Sequence, residues 1–154
     1  MRRPAAALLL VLALAGCGGS QAAKQPAADP KQVAVQVLGL IVHNRYTKAW
    51  DSLHPDDQAV APRAEYVSCE SKSPVQEVPS SVKVVRVKHE SVGLGDGTFR
   101  DSTAVDLRLG FPGGFHVVQT VHLIESGGMW KWILPPAKFR AYKADACPGS
   151  GSSA

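Results

Sequence analysis

Five histidines and three cysteines are the first candidates in this sequence for binding a metal ion or for nucleophilic chemistry. His116 and His122 share one face of a predicted strand, but six residues of extended chain hold them roughly 20 Å apart. Neither Cys69 nor Cys147 has a second ligand at the spacing of a zinc site. Nucleotide-binding loops, serine nucleophile elbows and catalytic Cys-His patterns are also missing from the sequence. We therefore expect no metal, no cofactor and no catalytic residue.

The first cysteine follows an apolar run that has the form of an export signal. Two arginines precede the apolar residues 5–15, a run too short to cross a bilayer as a helix, which takes about 20 residues. The segment Leu14-Ala15-Gly16-Cys17 resembles the bacterial lipobox. This resemblance implies lipidation of the Cys17 sulfur and cleavage before it, so that acyl chains anchor the protein in the membrane. The alternative is an ordinary secretory signal that is cleaved near Ala15.

Export changes what the two later cysteines imply. With Cys17 lipidated, Cys69 and Cys147 remain as an even pair, and such a pair in an oxidising compartment favours a disulfide. The bridge would close a loop of roughly 80 residues and would hold the last predicted strand, which otherwise could fray. Two buried free thiols, or a metal pair completed by a histidine, are the alternatives.

Charge and composition exclude several classes of protein. The sequence has 17 Lys and Arg against 13 Asp and Glu, a formal net charge of +4, and two of those arginines belong to the leader. The remainder carries about +2, which gives no reason to expect nucleic acid as a partner. A hydrophobic content of 45% excludes both a multispanning membrane protein and a charged disordered chain.

Hydrophobic periodicity predicts helices first and strands afterwards, which is an α+β order. Asp29 can cap a helix that starts at Pro30, and apolar residues at helical spacing predict that it continues to His54. The predicted stripe consists of Val35, Leu38, Val42, Tyr46, Ala49 and Leu53, flanked by Val37, Ile41 and Trp50. Two short helices over 56–61 and 62–70 follow.

After a proline-containing loop the period changes to two, which is typical of strands. We expect strands over 82–92, 102–111, 115–125 and 129–134. Glycine-rich turns separate neighbouring strands, so the four predict an antiparallel meander.

The helical and hairpin residues resemble small bacterial lipoproteins of the NTF2-like (SnoaL and ketosteroid-isomerase-like) superfamily. The resemblance rests on Tyr46-x-x-Ala49-Trp50-x-x-Leu53-His54-Pro55-x-x-Gln58, on Tyr66-x-x-Cys69 and on Gly128-Met129-Trp130-Lys131-Trp132. It implies an α+β cone in which N-terminal helices pack in a curved antiparallel sheet, with a cavity between helices and sheet. A cystatin-like domain is the alternative fold.

Strand alternation and helix position select candidate residues for that cavity. The inward face of the first strand would carry Val85, Val87, His89 and Ser91. The candidate pocket-lining residues are Tyr46, Trp50, His89 and Gln119. This set lacks the central carboxylate that an isomerase of the superfamily would need, so we expect a domain without enzymatic activity. An isomerase or hydrolase that works in the cavity is the alternative.

These expectations divide the chain into a leader over 1–16, a tether over 17–28, the domain over 29–147 and a disordered tail over 148–154. The predicted protein is a lipoprotein held on the extracytoplasmic face of the cell membrane by Cys17. Its expected role is to bind an envelope protein or a small apolar ligand, or to assist an envelope partner.

Overall fold

The structure is a computed structural model that describes residues 28–94 and 97–149. The helices are α1 (Pro30–Val42), α2 (Tyr46–Asp51), α3 (Pro55–Val60), α4 (Arg63–Ser71) and α5 (Pro136–Lys143). The strands are β1 (Ser81–Gly93), β2 (Phe99–Gly110), β3 (His116–Ser126) and β4 (Met129–Trp132). The α+β class is confirmed, and α1 to α4 precede the strands as predicted, whereas α5 follows them. Cys17, the leader and residues 150–154 lie outside the described residues.

The helix predicted from Asp29 to His54 is two helices, because Asn44 adopts a left-handed backbone conformation between them. The start is as predicted, since the Asp29 side chain accepts a hydrogen bond of 2.9 Å from a backbone N–H of the first turn. At Asn44 the backbone angle φ is 57°, a value that asparagine tolerates better than most residues. Its side-chain oxygen accepts from the Val75 N–H at 2.8 Å, and its amide nitrogen donates to the Val75 carbonyl at 3.1 Å.

The four strands form one antiparallel sheet in the order β1-β2-β3-β4. Val105 at the centre pairs with Val87 on one side and with Val121 on the other. Gly127 and Gly128 make the turn between β3 and β4 with φ of 61° and 76°. A two-residue turn with both φ values positive matches the right-handed twist of the strands that it joins.

A β-bulge at Val85 changes the predicted alternation of β1. The register shifts between Val84 and Arg86, so that Val84 pairs with Leu107 whereas Val85 has no partner on β2. The expectation that Val85 faces inward is therefore wrong for this strand, and its side chain is 44% exposed. An extra residue of this kind cannot be read from a run of valines with uniform strand propensity.

The hydrophobic core lies between α1 and one face of the sheet. We call this the inner face; it carries Val105, Leu107 and Leu109, and the opposite, outer face carries Ser102 and Asp106. From α1 the buried residues are Ala34, Val37, Leu38 and Val42. Val35, predicted to join this stripe, is 38% exposed because the buried face of the helix is rotated toward Ala34.

The segment between β4 and Cys147 contains a helix that the sequence analysis did not predict. α5 begins at Pro136, a residue suited to the first helical position. It buries Phe139 and Tyr142, and the ring of Tyr142 lies 5.9 Å from that of Tyr66 on α4. The predicted disulfide is confirmed, since Cys69 on α4 is bonded to Cys147 with the two Cα atoms 5.2 Å apart. The bridge therefore joins α4 to the residues that follow α5.

Among residues 28–94 and 97–149, no helix is both long enough and apolar enough to cross a membrane.

Candidate functional site

A pocket of about 340 Å³ lies between α1 and the edge of β3 that is not paired with β2. β4 pairs with β3 only from Leu123 to Ser126, so within the described chain the first half of β3 has no further strand beside it. We call this the apolar pocket; its lining includes Val37, Ile41, Leu109, Val117, Val121 and Trp132.

Two prolines at the end of β4 account for this open edge. The last sheet-like hydrogen bond runs from the Ile133 N–H to the His122 carbonyl at 3.0 Å. Pro135 and Pro136 have no N–H to continue the ladder, and Pro136 starts α5 instead. The chain therefore leaves the sheet beside His122, and Pro135 and Lys138 contribute to the pocket wall.

The charged residues of the pocket lining are Glu77 and Lys138. Lys138 is paired, because its ammonium lies 2.5 Å from the Glu70 carboxylate. Glu70 also accepts a hydrogen bond of 3.0 Å from the Tyr142 hydroxyl. Glu77 is exposed to solvent.

The uncharged polar residues of the lining are Gln119, Thr120 and His122. The Thr120 hydroxyl donates to Asp106, and His122 contacts Ser102. The Gln119 amide therefore remains for a ligand in a lining that is otherwise mostly apolar.

Of the four predicted lining residues, Gln119 is the one found in this pocket. Tyr46 is the first residue of α2 and is buried, and its hydroxyl donates to the Asn44 side-chain oxygen at 2.5 Å. The Trp50 indole N–H donates to the Ala61 carbonyl at 2.7 Å. His89 lies on the inner face as expected, but it is exposed, with Nδ1 3.1 Å from the Thr103 hydroxyl. The structure therefore does not bring these four side chains together.

The outer face of the sheet carries a second set of polar side chains. Arg86 is paired with Asp106 at 2.7 Å, and the Thr120 hydroxyl donates to the same carboxylate at 2.7 Å. The hydrogen bond from Thr120 and the charge of Arg86 hold the pKa of Asp106 below its ordinary value. This cluster joins three neighbouring strands across the face.

Ser102, His122 and Glu90 lie next to this cluster. The Ser102 hydroxyl is 3.1 Å from Nδ1 of His122, and a Glu90 oxygen is 3.6 Å from that same nitrogen. A hydrolytic relay needs the serine and the carboxylate on opposite nitrogens of the ring, so this arrangement does not match one. Burial lowers the pKa of His122 against the opposing effect of Glu90.

Asp57 is a fully buried carboxylate that the sequence analysis did not single out. Arg100 forms a short ion pair with one of its oxygens, and the Leu134 N–H donates to the other at 2.6 Å. Burial raises the pKa of Asp57, and the Leu134 N–H and Arg100 oppose that effect. Because both oxygens are satisfied, the pair fixes α3 against β2 and the residues after β4.

Histidine, cysteine, aspartate and glutamate side chains form no group of three that could hold a metal ion within the described ranges.

The pairing of Lys138 with Glu70 was missed because α5 was not predicted. Phe139 and Tyr142, three residues apart behind two prolines and with basic residues in the last turn, could have indicated that helix.

No protein-family model matches the chain, and no curated protein matches it.

Proposed function

We propose that this protein is a cell-envelope lipoprotein whose NTF2-like domain binds a small, uncharged apolar ligand in the apolar pocket. The observation that carries the ligand proposal is the lining of that pocket, in which aliphatic side chains of α1, β2 and β3 surround about 340 Å³. The order of helices before a four-stranded meander, with a pocket between α1 and the sheet, supports the NTF2-like assignment.

The size and charge of the pocket narrow the ligand class. Ligand pockets commonly hold about 300–1,000 Å³, so this one suits a ligand at the small end of that range. Lys138 is paired with Glu70, which removes the cation that would select a carboxylate or phosphate. Gln119 can donate or accept one hydrogen bond. The favoured ligand is therefore hydrophobic, with at most one polar group, and binding requires no catalytic residue.

The ligand proposal can be tested with the neutral fluorescent probe N-phenyl-1-naphthylamine and the full chain. Val117 lines the pocket, and Val117→Phe would fill part of it. We expect this substitution to weaken probe binding by about tenfold or more. Val118→Phe is the matched control, since Val118 points to the opposite face of β3 and is 52% exposed. Equal binding by both variants, or no binding by the unmodified protein, would contradict the proposal.

The anchor is proposed at Cys17, which places the protein on the extracytoplasmic face of the cell membrane. Leu14-Ala15-Gly16-Cys17 and the apolar residues before it support this assignment. Cells are labelled with an alkyne analogue of palmitate, and the labelled protein is compared with Cys17→Ala. We expect label in the original protein alone and release or mislocalisation of the variant. Label that persists in Cys17→Ala would refute the anchor.

A further inference from the structure

A wide groove lies between the first two helices and the hairpin that joins β3 to β4. Its volume is about 890 Å³, and Ala28, Arg45, Lys48, Met129, Trp130 and Lys131 are among its lining residues. We call it the basic groove. It differs from the apolar pocket in carrying the exposed polar side chains of Gln36, Arg45, Lys48 and Asp51 on its helical side, beside apolar residues of α1. Such a rim is suited to contact with a surface.

Three cations converge on the basic groove from two elements. Arg45 caps α2 and Lys48 lies within it, and both are exposed. Lys131 comes from β4, with its ammonium 3.4 Å from the Asp51 carbonyl. The carboxylate of the lining, Asp51, is itself paired with Arg63 at 3.2 Å. Within the described lining the groove therefore presents a net positive charge.

The hairpin adds apolar side chains beside these cations. Met129 follows the glycine turn and is 59% exposed, so its apolar side chain is open to solvent beside the cations. Trp130 is half-buried and lines the same groove. A tryptophan with one apolar side and one hydrated side is enriched where a protein meets the headgroup region of a bilayer.

The groove also lies where the chain leads toward the proposed anchor. Ala28 is the first described residue and lines the groove, and it lies eleven residues after Cys17 along the chain. Eleven residues span at most about 40 Å in any conformation. Of the described residues, Ala28 is the nearest to Cys17 along the chain. A lipidated Cys17 would therefore keep the end of the basic groove that Ala28 lines within about 40 Å of the anchor.

We propose that the basic groove docks on the anionic phospholipid headgroups of the membrane that holds the anchor. Arg45, Lys48 and Lys131 would contact phosphate groups, while Met129 and Trp130 enter the interface. This inference rests on the proposed lipidation of Cys17, because three cations alone give weak, salt-sensitive attraction to a membrane. Docking would orient the domain with its hairpin toward the lipid.

The experiment uses the lipidated protein, purified from membranes and reconstituted in vesicles with brominated acyl chains that quench tryptophan. We expect quenching in vesicles of phosphatidylcholine and phosphatidylglycerol at 3:1, and its loss in pure phosphatidylcholine or in 0.5 M salt. Trp130→Phe should remove the quenched signal. The triple variant Arg45→Gln, Lys48→Gln and Lys131→Gln should lower the docked-to-undocked ratio by about 100-fold.

The matched control is Lys83→Gln, Arg108→Gln and Arg140→Gln, which removes three exposed charges away from the groove. It should behave as the original protein does. Equal quenching by the two triple variants, or quenching independent of anionic lipid, would overturn docking by the groove. Mass spectrometry of the intact protein shows separately whether Cys17 carries acyl chains. A protein without acyl chains would overturn the anchor and this inference together, whereas an acylated protein without quenching overturns the groove alone.

Discussion

Trp50 connects three helices through contacts of a single residue. Its indole N–H donates to the Ala61 carbonyl at 2.7 Å, and its own carbonyl accepts from the Gln58 side chain at 2.9 Å. The guanidinium of Arg63 lies 5.7 Å from the ring centre. Spacing along the chain places Trp50 at the edge of the apolar stripe, but only the packed helices show that Ala61 is its hydrogen-bond partner.

Replacing this side chain should destabilise the domain. For Trp50→Ala we expect the free energy of unfolding to fall by about 2–3 kcal/mol, because a half-buried indole and a hydrogen bond are lost. Urea denaturation followed by circular dichroism measures the change. Val118→Ala, on an exposed strand position, is the control and should change it by about 0.5 kcal/mol or less. Equal midpoints for the two variants would show that Trp50 does not support the helices.

His122 should make stability fall in mild acid. Burial lowers its pKa in the folded protein from the ordinary 6.5, with Lys88 acting in the same direction and Glu90 and Asp106 opposing. Just below pH 6.5, His122 therefore binds a proton in the unfolded chain and stays neutral in the folded protein. The free energy of unfolding decreases as pH drops through about 6.5 and levels off below the folded-state pKa.

The predicted loss of stability in mild acid is checked by comparing the urea midpoints of unfolding at pH 7.5 and pH 5.5. We expect the decrease to be smaller in His122→Gln than in the original protein. His43→Gln, at the exposed end of α1, is the control and should keep the original decrease. An unchanged decrease in His122→Gln would contradict the assignment of this acid sensitivity to His122.

At the scale of elements, the sequence predicts where most helices and strands occur, and tertiary contacts decide how they end. Strand periodicity and glycine turns indicate four strands, and these occur within a few residues of their expected bounds. The break between α1 and α2 depends on Val75, which is 31 residues from Asn44 along the chain. Local periodicity carries no information about such a contact, so one continuous helix was predicted.

Asn44 provides a test of this explanation. Asn44→Ala should lower the free energy of unfolding by about 2–3 kcal/mol, since it loses the Val75 hydrogen bonds and strains the left-handed backbone. Asn44→Gly loses the same bonds but tolerates a φ of 57°, so its cost should be about 1 kcal/mol smaller. Thermal or urea unfolding of both variants measures the difference. Equal destabilisation would mean that backbone strain is not relevant here.

At the scale of the whole molecule, the disulfide joins the helical half to the end of the chain. Cys69 and Cys147 are separated by 78 residues, and the loop between them contains the entire sheet and α5. Closing so long a loop restricts the unfolded chain more than the folded one. The apolar pocket depends on this arrangement as well, because α5 carries Lys138 and follows the prolines that end the sheet.

Removal of the bridge should therefore be costly. We expect the double variant Cys69→Ser and Cys147→Ser to unfold with a free energy lower by about 4.5 kcal/mol, the chain-entropy value for a loop of this length. Urea unfolding of the original protein with and without reductant gives an independent measurement. Two thiols that react with an alkylating reagent in the unreduced, denatured protein would contradict the bridge.

The sequence by itself determined the α+β class and the four-stranded meander, because periodicity and turn residues act locally. It also led to the expectation of a disulfide between Cys69 and Cys147, which the structure confirms, whereas α5 was not predicted. Strand alternation placed Gln119 on the same face of β3 as Val117 and Val121, and all three line the apolar pocket. The tertiary structure alone decided the bulge at Val85, the helix break at Asn44 and the open edge of β3. Each of these depends on which distant backbone groups are paired, and hydrogen bonds between segments far apart in the chain leave no local pattern in the sequence.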